Sequence, residues 1–207
     1  MTLPAGVILA GGQARRMGGG DKGLLTLGGA TLLDRVIDRL TPQVAALALN
    51  ANGDPARFAS LKLPVIADPL PDFPGPLAGV LAGLDWAAEA GHATIVTAAA
   101  DTPFFPTDLV ARLSAAAEAG GQSIALAATP DPKGGTRRHP TFGLWPVALR
   151  HDLRAALEDG LRKVVLWTDR HGAATALFPD APADPFFNVN TPDDLAHAKT
   201  RLSECAP

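Results

Sequence analysis

Apolar residues along this chain come in short unbroken runs, separated by stretches with helical spacing. The first run, Gly6 to Ala10, predicts a buried strand bounded by glycines. Leu24 to Leu27 is a short apolar stretch closed by a Gly28-Gly29 turn. Leu32, Leu33, Val36, Ile37 and Leu40 then recur at helical spacing, behind Thr31 as N-cap with Asp34 three residues on. Pro42 ends that helix. Val44 to Leu49 predicts a second strand and Leu63 to Ala67 a third. Gly75 opens a helix that runs to about Ala90, with Pro76 in its first turn. Ala93 to Ala99 predicts a fourth strand, Thr107 to Ala119 a helix, and Ser123 to Thr129 a fifth strand. Pro130 to Pro140 reads as a polar loop, and Thr141 to Trp145 as a strand antiparallel to its neighbours. Val147 to Leu157 reads as a helix, Lys163 to Trp167 as a strand, and Thr191 to Leu202 as a closing helix.

Strands that alternate with helices of ten or more residues imply parallel βαβ units. No repeat or low-complexity linker interrupts them, so residues 1–207 are expected to form one domain. In open sheets of this kind, ligands sit outside the carboxyl ends of the strands. The polar residues at those ends are the loop after the first strand, Asn50 and Asn52, Asp68, and Asp101.

The loop is Gly11 to Gly23. Its glycines leave backbone N–H groups uncovered, and successive N–H groups make an anion-binding concavity. Arg15, Arg16 and Lys22 add three positive charges. Arginine suits bidentate phosphate contact and lysine serves as a point charge, so the loop is suited to a triphosphate. It is not a Walker loop, because Lys22 stands between Asp21 and Gly23. Gly18, Gly20 and Gly23 match the dinucleotide spacing, but too far beyond the strand tip, and the second strand ends in Asn50 where an acid is expected.

From Leu9 to Lys22 the sequence reads Leu-Ala-Gly-Gly-x-x-x-Arg-Met-Gly-Gly-x-Asp-Lys. Further on come Asn50-Ala51-Asn52, Asp68, Pro74 to Gly79, Asp101-Thr102-Pro103, His139-Pro140-Thr141 and Phe187 to Pro192. In these blocks, which span nearly the whole chain, it resembles the molybdenum cofactor guanylyltransferases of the nucleotidyltransferase superfamily. The resemblance implies an α/β fold: a three-layer Rossmann-like nucleotidyltransferase fold, with a mostly parallel central sheet, an antiparallel strand and helices on both faces. It implies transfer of GMP from GTP to molybdopterin, with release of pyrophosphate. Leu9, Ala10, Gly11, Gly12, Lys22, Asn50, Asp68 and Asp101 would then contact GTP, and Asp101 would bind Mg²⁺. Proteins of molybdenum insertion and molybdoenzyme maturation are the expected partners.

The residues agree with that chemistry. Nucleotidyl transfer needs in-line placement and charge stabilisation more than covalent help. Lys22 and Arg16 would offset the charge of departing pyrophosphate, and an ionised acceptor phosphate needs no strong base. Asp101 taken alone reads equally as a Mg²⁺ ligand or as a cap of the Asp-Thr-Pro turn; beside a triphosphate loop the metal reading is favoured. Asp68, Asn50 and Asn52 have the same two readings, turn former or ligand contact. Asn188 and Asn190 are assigned to the substrate or metal side. His139 reads as a structural hydrogen-bonder. Arg137 and Arg138 read equally as contacts to the acceptor phosphate or as a solvated loop, and Trp86, Trp145 and Trp167 as core.

Composition narrows the rest. The chain has 207 residues, of which 47% are hydrophobic, and a formal charge of −3. At that length folding buries roughly 70% of the unfolded surface, so no staple is needed. No basic stripe predicts nucleic acid. The single cysteine, Cys205, reads as an inert surface thiol, and a cytoplasmic location is expected in the absence of a signal or membrane segment. Cytidylyl transfer to molybdopterin, nucleotidyl transfer to a sugar phosphate, a regulator without chemistry and a dinucleotide oxidoreductase are the competing readings.

Overall fold

Seven strands form one mixed sheet with helices on both faces, as the alternation of runs predicts. The computed structural model describes residues 2–11, 21–70, 75–180 and 182–204. Gly12, Arg15, Arg16, Gly18, Gly20, Pro74 and Cys205 lie outside the described residues. The strands are β1 (Ala5–Leu9), the hairpin pair β2 (Thr26–Leu27) and β3 (Ala30–Thr31), β4 (Leu47–Asn50), β5 (Val65–Ile66), β6 (Thr94–Ala99), β7 (Ile124–Pro130), β8 (Thr136–Pro146) and β9 (Ala173–Leu177). The order in the large sheet is β5-β4-β1-β6-β8-β7-β9. Only β8 runs antiparallel to its neighbours, β6 and β7. The helices are α1 (Leu32–Leu40), α2 (Pro76–Glu89), α3 (Leu109–Ala119), α4 (Arg150–Glu158), α5 (Val164–His171) and α6 (Pro192–Glu204).

Strand pleating sends neighbouring residues to opposite faces. Ile8 packs with Leu33 and Val36 of α1 and Leu113 of α3. Val7 packs with Leu81 and Leu84 of α2, and the same cluster takes in Leu153 of α4 and Trp167 of α5. A third cluster joins Leu27 and Leu32 to Phe104, Val189 and Ala198, and so docks α6 on the β2–β3 hairpin.

Helix α1 starts where the sequence placed it. Thr31 Oγ1 accepts from the Asp34 N–H, and the Asp34 carboxylate accepts from the Thr31 N–H, a capping box worth about 1 kcal/mol. The Gly28-Gly29 turn has positive φ at both residues, as tight hairpin turns require.

Four expectations are corrected. Lys163 to Trp167 is not a strand: Val164–His171 is helix α5. Trp167 explains the change, since its Nε1 donates to Asp152 at 2.8 Å and its ring meets Trp145 at 6.2 Å, which fastens a short helix over the sheet. The edge strand that follows, β9, pairs parallel with β7 and was not foreseen, because its alanine-rich run carries little strand signal. Pro130 to Pro140 is not all loop, since β8 begins at Thr136. Pro140 is tolerated because the register shifts between Leu126 and Ala127, opposite it, so that no ladder bond needs its missing N–H. The second strand begins at Leu47, not Val44, since Val44 caps the 3-10 turn Thr41–Gln43 through its N–H to the Thr41 carbonyl and the chain bends before pairing. Trp145 and Trp167 are fully buried, but Trp86 is only partly covered at the edge of its cluster.

His139 has the structural role expected of it. Its Nε2 lies 2.9 Å from the Thr129 hydroxyl and its ring stacks on Phe186 at 4.4 Å. Burial lowers its pKa from 6.5 to about 4, against the attraction of Asp184. Between those values the unfolded chain binds a proton that the folded chain refuses. Stability is therefore expected to fall as pH drops from about 6.5 to about 4. Urea unfolding of the wild type and His139→Gln across that range checks this. The variant should show the shallower pH dependence, and identical slopes would refute the assignment.

Candidate nucleotide site

The carboxyl ends of β4, β1 and β6 lie side by side, and the polar residues named from the sequence gather there. On the β6 side, the Asp101 carboxylate takes Lys22 Nζ on Oδ2 at 2.6 Å. Lys22 Nζ also donates to Asn190 Oδ1, so residues far apart in the chain meet at one ammonium. The two partners of this ion pair are mostly covered, with side chains 13% and 24% exposed. The Thr102 hydroxyl, fully buried, donates to Asn188 Oδ1 at 2.6 Å, and the Val189 N–H donates to the Asp101 carbonyl at 2.9 Å. Lys22, Asp101, Asn188 and Asn190 thus form one wall.

That wall is held from behind by Asp194. Its Oδ2 accepts from the Asn190 and Thr191 N–H groups at 2.9 Å each, while the Asp194 N–H returns a bond to Thr191 Oγ1. The Asn190 N–H contributes most to lowering the Asp194 pKa, and the Lys22 charge acts the same way. The sequence marked Thr191 as the start of the closing helix but did not mark Asp194. Nor did it mark the hold of Asp194 on Asn190.

On the β4 side, Asp68 is fixed by two asparagines. Asn50 Nδ2 donates to its Oδ1 at 2.9 Å, and Asn52 Nδ2 to its Oδ2 at 2.7 Å. The Asp68 N–H answers to Asn52 Oδ1 at 2.8 Å. Asn50 is buried, and its Nδ2 is also shared with the Ile66 carbonyl. Helix α2 comes very close here: a Cβ at Gly79 would stand 2.2 Å from Asn50 Oδ1. Gly79 is therefore needed for clearance, and α2 clamps Asn50 from above. Leu9, Ala10 and Gly11 lie between the walls. Their positions are fixed by bonds from Ala10 N–H to the Asn50 carbonyl and from Ala100 N–H to the Leu9 carbonyl, at 2.8 and 3.1 Å.

Among the described residues Arg137 and Arg138 are engaged elsewhere than at these walls. They pair with Asp184 and Asp169 at 2.6 Å each, on the exposed β7–β8 hairpin. Sequence reasoning also missed Arg57, whose guanidinium pairs with Asp21 at 2.6 Å. Nothing local marks it, since its partner is distant in the chain. Among the described residues no group of three or more His, Cys, Asp or Glu could hold a metal unaided. A single carboxylate such as Asp101 does suit Mg²⁺, which takes one or two carboxylates and leaves its other positions to phosphate oxygens.

A strand-tip carboxylate held by Lys22, facing asparagine–aspartate contacts on the opposite wall, agrees with a nucleotidyltransferase, and the chain is one by family. The sequence profile described as the MobA-like NTP transferase domain matches residues 6–173. The chain belongs to the molybdenum cofactor guanylyltransferase family. It is 57% identical over 199 residues to the molybdenum cofactor guanylyltransferase of Rhodopseudomonas palustris (strain HaA2), covering 95% of this chain and 91% of that one. It is 53% identical over 203 residues to that of Mesorhizobium japonicum, covering 96% and 95%. Its fold is that of molybdopterin-guanine dinucleotide biosynthesis protein A from Archaeoglobus fulgidus, with a TM-score of 0.72, 24% identity and coverage of 97% and 99%. It is also that of a CMP:2-keto-3-deoxy-manno-octonic acid synthetase complexed with CTP, with a TM-score of 0.73, 13% identity and the same coverage.

Proposed function

We propose that this protein transfers GMP from GTP to molybdopterin, forming molybdopterin guanine dinucleotide and releasing pyrophosphate, through one nucleotidyltransferase domain of residues 1–207. The observation that carries this reading is the Lys22 ammonium set on Asp101 at the tip of β6, in a chain of this family.

The acceptor's phosphate oxygen attacks the α-phosphorus of GTP. A new P–O bond forms, and the bond from the α-phosphorus to the bridging oxygen breaks, so that the electron pair leaves on pyrophosphate. The chain's task is to place the two reactants in line and to meet the charge that develops. Leu9, Ala10, Gly11 and Gly12 begin the loop that would receive the phosphates. Lys22, with Arg16, would neutralise the leaving pyrophosphate. Asn50 and Asp68 would face the nucleoside, and Asn188 and Asn190 the acceptor side. When bound through Asp101 and phosphate oxygens, Mg²⁺ would supply further charge neutralisation. The covered setting of Lys22 and Asp101 strengthens each of these charge contacts relative to open water.

No helix among the described residues is long and apolar enough to cross a membrane. Work in the cytoplasm, beside proteins that insert molybdenum or mature molybdoenzymes, follows from the same reading.

The test is thermal melting with Mg²⁺ and GTP, CTP or ATP in turn, followed by the transfer assay with molybdopterin. At a hundred times its dissociation constant GTP should stabilise by about 2.7 kcal/mol, which is roughly 5–10 °C for a chain of this size. A shift with CTP in place of GTP would reassign the nucleotide. No shift with any triphosphate would remove the reading.

A further inference from the structure

Two neighbouring residues of opposite charge reach to opposite walls of the site. Lys22 goes to Asp101, beyond β6, while Asp21 goes to Arg57, beyond β4. Strand β1 lies between β4 and β6, so the two walls are about 10 Å apart. The Asp21-Lys22 pair therefore forms a strap over the tip of β1, where Leu9, Ala10 and Gly11 begin the phosphate loop.

Arg57 is built to hold its end. It sits in a 3-10 helix, Pro55–Leu61, anchored by the buried ring of Phe58, and its guanidinium lies 4.7 Å from the centre of that ring. Nε pairs with Asp21, Nη2 donates to the Asn52 carbonyl, and Nη1 donates to the Asp54 carbonyl at 3.3 Å. Gly53 makes room for it: a Cβ there would stand 2.8 Å from Nη1, and φ at Gly53 is +84°. Asn52 in turn exchanges two hydrogen bonds with Asp68. One guanidinium thus touches the residue before Lys22 and the residue that orients Asp68.

We infer that Arg57 is a positioning residue for nucleotidyl transfer, acting through Asp21 to set Lys22 and through Asn52 to set Asp68, so that the phosphate and nucleoside halves of the nucleotide site are held in one register. Arg57 touches no reacting atom in this role. Its planar fork suits the task, since it can hold a carboxylate and two carbonyls in one plane. A plain surface ion pair would contribute little to stability and would leave catalysis untouched. The two readings therefore differ in what is measured. The inference rests on the GTP reading above.

The experiment is a double-mutant cycle of Asp21→Asn and Arg57→Gln, with kcat and KM for GTP in the transfer reaction and melting without nucleotide for all four proteins. Each single variant is expected to lose about tenfold in kcat/KM, with kcat carrying part of the loss. The double variant should be no worse than the poorer single one, because both changes release the same strap. Additive losses, or kcat and KM both within twofold of wild type, would overturn the inference. Should Arg57→Gln melt early, Asp21→Asn carries the test, since it leaves the guanidinium's carbonyl contacts in place. If wild type fails to use GTP but binds another triphosphate, the GTP reading fails by itself. The cycle is then read on the dissociation constant of that nucleotide, with the same non-additivity required.

Discussion

Lys22→Ala is expected to lower kcat/KM for the transfer by about 10²–10³-fold while leaving the fold intact. The reason is position. The ammonium sits 2.6 Å from Asp101 and on Asn190, mostly shielded from water, at the edge of the loop that would take the phosphates. A fixed charge in such a place needs no reorganisation when negative charge builds on the leaving pyrophosphate. Lys22→Arg should not recover the activity, because a planar fork cannot occupy the point between two oxygens that an ammonium fills. Melting without nucleotide should shift by about 1 kcal/mol or less, as for other partly exposed ion pairs. Steady-state kinetics beside melting curves check both halves. A variant that kept a third of wild-type kcat/KM would remove Lys22 from the mechanism.

Asp101→Asn should cost a similar factor, about 10²–10³ in kcat, for a different reason. The substitution keeps shape and hydrogen-bonding reach but removes the charge that would ligate Mg²⁺. It should also raise the Mg²⁺ concentration needed for half-maximal rate by at least tenfold. Thr102 and Asn188, which bond each other beside Asp101, hold the wall in place, so the change should act on the ion and not on the fold. Titrating Mg²⁺ at saturating GTP checks this. An unchanged Mg²⁺ requirement would return Asp101 to the role of turn cap.

The centre of the sheet was legible because its strands β1, β6 and β7 are buried on both faces and read as continuous apolar runs. β1, β6 and β7 came through with ends shifted by a residue or so. Helices α1 and α2 were legible from their starts, Thr31 with Asp34 and the proline after Gly75. What failed was local signal overruled by packing. Val164 and Val165 look like a strand, yet Trp167 needs a helix to reach both Asp152 and Trp145. β9 has only alanines, a threonine and one leucine, and becomes a strand because β7 offers it an edge. The candidate site divides in the same way. Asp68 and Asp101 could be named because each ends a strand. Lys22 could be named because a glycine loop leads to it. Arg57 and Asp194 could not, because each acts on a partner rather than on the ligand, and a single sequence displays no pairings across the fold.

The bond from Lys22 to Asn190 joins residues 168 positions apart. Closing so long a loop costs on the order of 4–5 kcal/mol of chain entropy, so this contact is expected among the last to form. On a ribosome that adds about 5–20 residues each second, some ten to thirty seconds pass between the two residues. During that interval the β2–β3 hairpin has no α6 to cover Leu27, and Lys22 has no Asn190. The growing chain thus carries Lys22 long before Asn190 arrives to complete the wall around its ammonium.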